Sequence, residues 1–69
     1  MKITNTKDFG LAVKYRRKSL GYTQKDVAKF LGCSASYISD LENGKKTAEI
    51  EKAIIVAKIL GMDLALNER

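Results

Sequence analysis

Glycines at positions 21, 32, 44 and 61 cut the chain into four stretches, each carrying apolar residues at helical spacing. A helix commonly ends on a residue that adopts left-handed backbone, and glycine does so without a steric penalty. The opposite ends of these stretches begin with small polar residues. Asn5 is followed three positions later by Asp8, and Thr23 by Asp26; Ser34 and Thr47 stand alone. Such side chains accept hydrogen bonds from the free N–H groups of a first helical turn, and an acidic residue at the third position can return the bond. The pattern predicts helices over residues 6–19, from Thr23 to Gly32, over 35–42 behind Ser34, and from about Thr47 to Gly61. Asn43-Gly44 terminates the third.

The inner faces follow from periodicity. Phe9, Ala12, Val13, Arg16, Arg17 and Leu20 recur on the first helix, with Lys14 and Lys18 outside. Val27, Ala28 and Leu31 form the stripe of the second, Ile38 and Leu41 that of the third. On the fourth, Ile50, Ala53, Ile54, Ala57 and Leu60 make one stripe, and Ile55, Val56 and Ile59 widen it beyond what a single core face needs. A widened stripe in a small domain signals a deeper core or a partner surface. After Gly61, Met62, Leu64 and Leu66 alternate with polar or small residues, the period of a strand. A lone strand leaves its backbone groups unpaired, so residues 62–69 are expected to pair between two copies of the chain.

Sixty-nine residues allow one domain, with residues 1–61 as its body and 62–69 as a dimerisation strand. One cysteine and no histidine exclude an internal disulfide and argue against a metal site, and no cofactor motif is present. Cys33 reads as a small buried or half-buried side chain. No apolar run reaches membrane-spanning length and the first residues lack a signal-peptide core, which leaves the cytoplasm as the expected compartment. Without a nucleophile–base constellation or phosphate-cradling loop, an enzyme is the reading least supported.

The net charge is +5, from 13 Lys and Arg against 8 Asp and Glu, a balance that favours polyanionic partners. The third helix is the part suited to meet one. Its join to the second, Gly32-Cys33-Ser34, fits a sharp angle between short helices. Ala35, Ser36, Ser39 and Asp40 remain available outside its inner pair, and a short helix with small polar side chains can enter a major groove.

The order TQKDVAKFLGCSASYISDLENG, residues 23–44, resembles the helix-turn-helix of lambda-repressor-like (xenobiotic-response-element-type) DNA-binding domains. Thr23-Gln24, Val27-Ala28, Gly32, Ser34, Ile38-Ser39 and Glu42-Asn43-Gly44 stand in register with that motif, and the likeness covers most of the chain. It implies an all-α bundle of four to five helices whose short C-terminal strand pairs across a dimer. It also implies that Gln24 contacts a phosphate, and that Ser34, Ala35, Ser36 and Tyr37 meet bases or adjoining phosphates. Ser39 and Asp40 complete the groove-facing side, while Asn43, Lys45 and Lys46 lie along the DNA backbone. Arg17 and Glu42 match a structural ion pair. Asp40 departs from expectation, since phosphates repel a carboxylate; it reads a cytosine amino group, excludes wrong sequences, or turns to a cation such as Lys14. Ala48 departs too, where relatives often carry proline.

The continuation LGMDLALNE, with the lead-in ITNTKDFGLAVKYRR, is similar to small antitoxins of the HipB type. That likeness implies a homodimeric repressor of its own operon, bound to a palindromic operator and to a HipA-like serine/threonine kinase toxin. Dimer contacts would come from Ile55, Ile59, Met62, Leu64 and Leu66. The alternatives are a phage or restriction-modification control regulator with the same reading head, and a protein-interaction module whose basic charge is incidental.

Overall fold

The computed structural model describes residues 2–69; Met1, the start of the expected domain, lies outside them. Four α-helices are present, α1 Thr6–Ser19, α2 Gln24–Leu31, α3 Ala35–Glu42 and α4 Ile50–Ile59. The caps work as their spacing requires. Thr23 accepts from the Asp26 amide while the Asp26 carboxylate accepts from the Thr23 amide, at 3.0 and 2.8 Å. The Ser34 hydroxyl accepts from the Tyr37 amide. Asn5 accepts from the Asp8 amide at 2.8 Å, but the returning bond goes one residue further back, with the Thr4 hydroxyl and amide both donating to Asp8. Those bonds stabilise the ionised carboxylate and hold Asp8 below the ordinary aspartate range; Thr23 does the same for Asp26.

α3 packs against both α1 and α2, and α2 also meets α4. Val13, Val27, Ile38, Val56 and Leu60 are essentially sealed from water. At about 1.5–3 kcal/mol for each such side chain, these five join all four helices into one core. Two expected apolar inner positions are corrected. Leu20 is 40% exposed, because α1 ends at Ser19 and the chain turns away at Gly21. On α4, Ile50 is 77% exposed whereas Val56 is fully buried. The wide apolar stripe left the buried direction open, and the packing against α2 selects Ala53, Val56, Ala57 and Leu60.

The start of α4 also differs from expectation. Thr47 does not cap it; residues 46–47 form a turn, and the helix begins at Ile50 behind Glu49, which makes no side-chain capping bond. The Lys45 amide donates to the Asp40 carbonyl, so the chain folds back on the end of α3, and Ala48 packs against the core before the helix starts. At the end of α3 only Gly44 takes positive φ (80°), with Asn43 at −86°. Among the described residues of the single chain there is no strand, and residues 62–69 take no regular secondary structure.

α1 is fastened to the rest of the domain at four places. The Thr6 hydroxyl donates to the Gly44 carbonyl at 2.8 Å, and Arg16 Nε to the Leu60 carbonyl at 2.8 Å. Arg17 is buried and grips buried Glu42 through two bonds, Nε to Oε2 at 2.6 Å and Nη2 to Oε1 at 3.0 Å, while its Nη1 donates to the Tyr22 carbonyl. The fourth fastening is a close approach. A Cβ at Gly10 would fall within 3.0 Å of the carbonyls of Leu41 and Glu42, so α1 meets the end of α3 backbone to backbone.

Gly10→Ala gains up to about 1 kcal/mol of helix propensity but drives a methyl into rigid backbone, an overpacking penalty of about 1–3 kcal/mol or more. The clash wins, and urea melts will show net destabilisation. Arg17→Met and Glu42→Leu will each cost about 3–5 kcal/mol, because either leaves a buried charge without its partner. The double variant will cost less than the sum of the two in the same melts.

Candidate nucleic-acid interface

α2, the Gly32-Cys33-Ser34 turn and α3 form a helix-turn-helix unit. Gly32 sits at φ 76° as the C-cap of α2, and its amide and that of Cys33 both donate to the Ala28 carbonyl. Ser34 then opens α3 at once. Eight residues at 1.5 Å each give a helix about 12 Å long, a short probe against a major groove about 12 Å wide. Ile38, Leu41 and Glu42 are buried on its inner side. Ser36, Asp40 and Asn43, spaced by four and three, therefore share the opposite side.

The expected contact residues divide into several environments. Ser36 is exposed. Ser34 is exposed, but its hydroxyl is committed to the cap. Ala35 was expected outside and is instead half-buried against the core, since it lies one turn before Ser39 on the flank next to Ile38. Tyr37 also leans inward. Its ring packs on the core and its hydroxyl donates to the Glu49 carbonyl at 3.3 Å, so it ties α3 to the start of α4. Burial pushes its phenol up, and the Lys52 ammonium, 5.6 Å from the ring centre, opposes that shift.

The Ser39 hydroxyl accepts from the Asn43 side-chain Nδ2 at 3.5 Å. Asp40 turns to a cation, which is Lys45 and not Lys14: Oδ2 and Nζ are 3.3 Å apart. Lys45 is thus paired within the protein, whereas Lys46 is exposed next to it and has no ion pair among the described residues. Gln24, at the first position of α2, is half-buried and donates from Nε2 to Glu42 Oε1 at 3.2 Å. A carboxylate only accepts, so this bond fixes which way the amide faces. The second Nε2 hydrogen remains for an outside acceptor. Arg17 and Glu42 form the pair their positions implied, and Glu42 holds the guanidinium above its ordinary pKa against the opposing effect of burial.

The proposed partner face lies elsewhere. Ile55 is partly exposed at the surface of α4 and Ile59 is half-buried. Met62 bonds back to the Ala57 carbonyl and packs on the core, while Leu64 is about half exposed and Leu66 fully so. Ile3, Phe9, Ala12, Met62 and Leu64 line an apolar cleft along α1. Sequence reasoning missed Lys52 and Glu49, which pair at 3.1 Å beside Tyr37, and Phe30, which is 54% exposed and meets Tyr22 edge to face at 5.2 Å. The signal for Phe30 was available, because it falls off the Val27–Leu31 stripe. Among the described residues no helix is long and apolar enough to cross a membrane, and no group of acidic or sulfur side chains could hold a metal ion.

Comparison with known proteins places this geometry among relatives. The chain is 34% identical over 58 residues to the ImmF control region 10 kDa protein of Bacillus phage phi105, covering 84% of this chain and 64% of that protein. It is 38% identical over 52 residues to an HTH-type transcriptional regulatory protein of Saccharolobus islandicus, covering 75% of this chain and 17% of the relative. The chain therefore spans less than two thirds of either relative. Among solved structures, it superimposes on a chain of a HipA-HipB-O2-O3 complex with a TM-score of 0.88 at 25% identity, over 99% of this chain and 96% of that one. A family model described as helix-turn-helix matches residues 13–67, and the chain belongs to the helix-turn-helix family.

Proposed function

We propose that this protein is a sequence-specific double-stranded-DNA-binding repressor, and the antitoxin of a toxin–antitoxin operon that it regulates itself. The observation that carries the reading is the exposed side of α3. Ser36 projects freely from a short helix whose other side is locked by Ile38, Leu41 and the Glu42 ion pair. Gln24, at the N-terminus of α2, aims a spare N–H outward where helix ends attract anions. Lys45, Lys46 and Asn43 flank the same end of α3 and would meet the phosphate backbone as it passes. Tyr37, Ser34, Ser39 and Ala35 act chiefly by holding this edge in place.

The antitoxin role rests on the likeness to the HipB chain in the HipA-HipB-O2-O3 complex. By that likeness the partner is a HipA-like kinase toxin, and the compartment is the cytoplasm of the cell that carries the operon. Two copies reading a palindrome need half-sites about 34 Å apart. Residues 62–69 supply the joint: Leu64 and Leu66 are exposed in a single chain and become covered if the tails pair as strands, with Ile55, Ile59 and Met62 beneath them. A phage control regulator is the second reading. It is favoured by the phi105 relative, which shares the whole reading head. An adjacent kinase-like reading frame favours the antitoxin, and adjacent phage genes favour the regulator.

Selection of bound sequences from a random duplex pool at fixed salt will return a palindromic consensus. Ser36→Leu will lower the preference for that consensus over random duplex by about tenfold, within the 1–3 kcal/mol that a base-edge contact supplies, with helical circular dichroism unchanged. Equal preference in the variant removes Ser36 from the reading role. Truncation after Gly61 will shift the protein toward monomer in sedimentation and weaken consensus binding with it. A dimer of the same strength without residues 62–69 would rule the tail out as the joint.

A further inference from the structure

We propose that Asp40 and Lys45 form an exchangeable couple that makes phosphate contact by Lys45 conditional on the base met by Asp40, and that this base is a cytosine. The proposal rests on the DNA-binding reading above. Asp40 lies one turn beyond Ser36 on the exposed side of α3, so an element that presents Ser36 to a groove also presents Asp40. Its carboxylate is 3.3 Å from Lys45 Nζ, with the two side chains 46% and 56% exposed. An exposed pair of this kind is weak and parts readily. The Lys45 amide donates to the Asp40 carbonyl at 3.0 Å, which pins the lysine backbone beside the end of α3 while its four-carbon side chain stays free to swing.

Near a duplex the two halves of the pair have opposite preferences. Phosphate attracts Lys45 and repels Asp40, and the carboxylate can only accept a hydrogen bond. Where Asp40 meets the N4 amino group of cytosine, the donor replaces the lysine and Lys45 moves to a phosphate. Facing guanine O6 and N7 or thymine O4, the carboxylate meets acceptors, and at adenine the N6 donor stands beside the N7 acceptor, which repels the carboxylate's second oxygen. The carboxylate then keeps Lys45 as its counter-charge, and the complex loses one phosphate contact per half-site. Asp40 is thus a specificity-determining residue that acts by withholding a cation from wrong sequences. The neighbouring Glu49–Lys52 pair lines the same shallow cavity as Asp40 and Lys45, but Lys52 is already held by Glu49 at 3.1 Å.

The test measures binding of the full chain to the selected consensus duplex and to a random duplex across a salt series. Wild-type protein will show a steeper dependence of log K on log salt with the consensus, by about 0.9 for each half-site. Asp40→Ala will tighten random-duplex binding several-fold, abolish the difference in slope, and relax the cytosine preference at one position of each half-site. Adding Lys45→Gln will cancel the gain on random duplex. An Asp40→Ala protein that keeps the wild-type slopes and preference overturns the proposal, as does a gain that persists in the double variant. Wild-type protein that enriches no sequence from the pool overturns the DNA-binding reading and this proposal together; enrichment with an indifferent Asp40→Ala overturns this proposal alone. Circular dichroism of both variants confirms the helical fold, which these exposed side chains do not support.

Discussion

One carboxylate carries an unusual share of this structure. Glu42, at the end of α3 and almost wholly buried, accepts two bonds from Arg17 of α1 and one from Gln24 of α2. Three helices therefore converge on a single negative charge. Hydrophobic contact sets helices near one another but says little about rotation or register. A bidentate guanidinium–carboxylate bond does, because its planar fork admits one geometry. The angle at which α3 leaves the body follows from this junction, and so does the placement of the Gln24 amide against it.

Around that junction, α1 acts as the frame on which the helix-turn-helix unit is mounted. Its glycine at position 10 allows the α3 carbonyls to come within backbone distance, and its Thr6 hydroxyl anchors the chain at Gly44 where α3 ends. Arg16 reaches the far side and fastens the last turn of α4. An eight-residue helix has little stability of its own in water. α3 is ordered because it is clamped at its inner face, its end and its cap at once, and the same clamping limits how far its exposed side chains can wander when a ligand approaches.

Local chemistry was legible in the sequence, and tertiary choice was not. The caps at Asn5, Thr23 and Ser34 and the stops at Gly32 and Gly44 depend on neighbours within a few residues, so the bounds of α1, α2 and α3 could be read directly. Thr47 had the same local credentials and failed, because the chain end of α3 folds back through Lys45 and delays α4 to Ile50. The crowded apolar surface of α4 offered several equivalent stripes, and only contact with α2 shows that Val56 rather than Ile50 is the buried one. In the candidate site, periodicity placed Ser36 and Asp40 outside. The partners of Asp40, Tyr37 and Gln24 lie on loops or other helices, which no spacing along one element can reveal. The ion pair of Arg17 and Glu42 was reachable through family likeness, being invisible to periodicity except as an oddly placed arginine on an apolar face.

On α3 the two duties of the helix are kept on separate sides. Ile38, Leu41 and Glu42 support the fold, while Ser36 and Asp40 support none of the interior. Substitutions at the two outer positions escape the stability threshold that purges most changes in a domain this small. If these two side chains read a duplex as proposed, a lineage built on this scaffold can retarget itself to new control sites in single steps, diverging in what it recognises while the architecture beneath stays fixed.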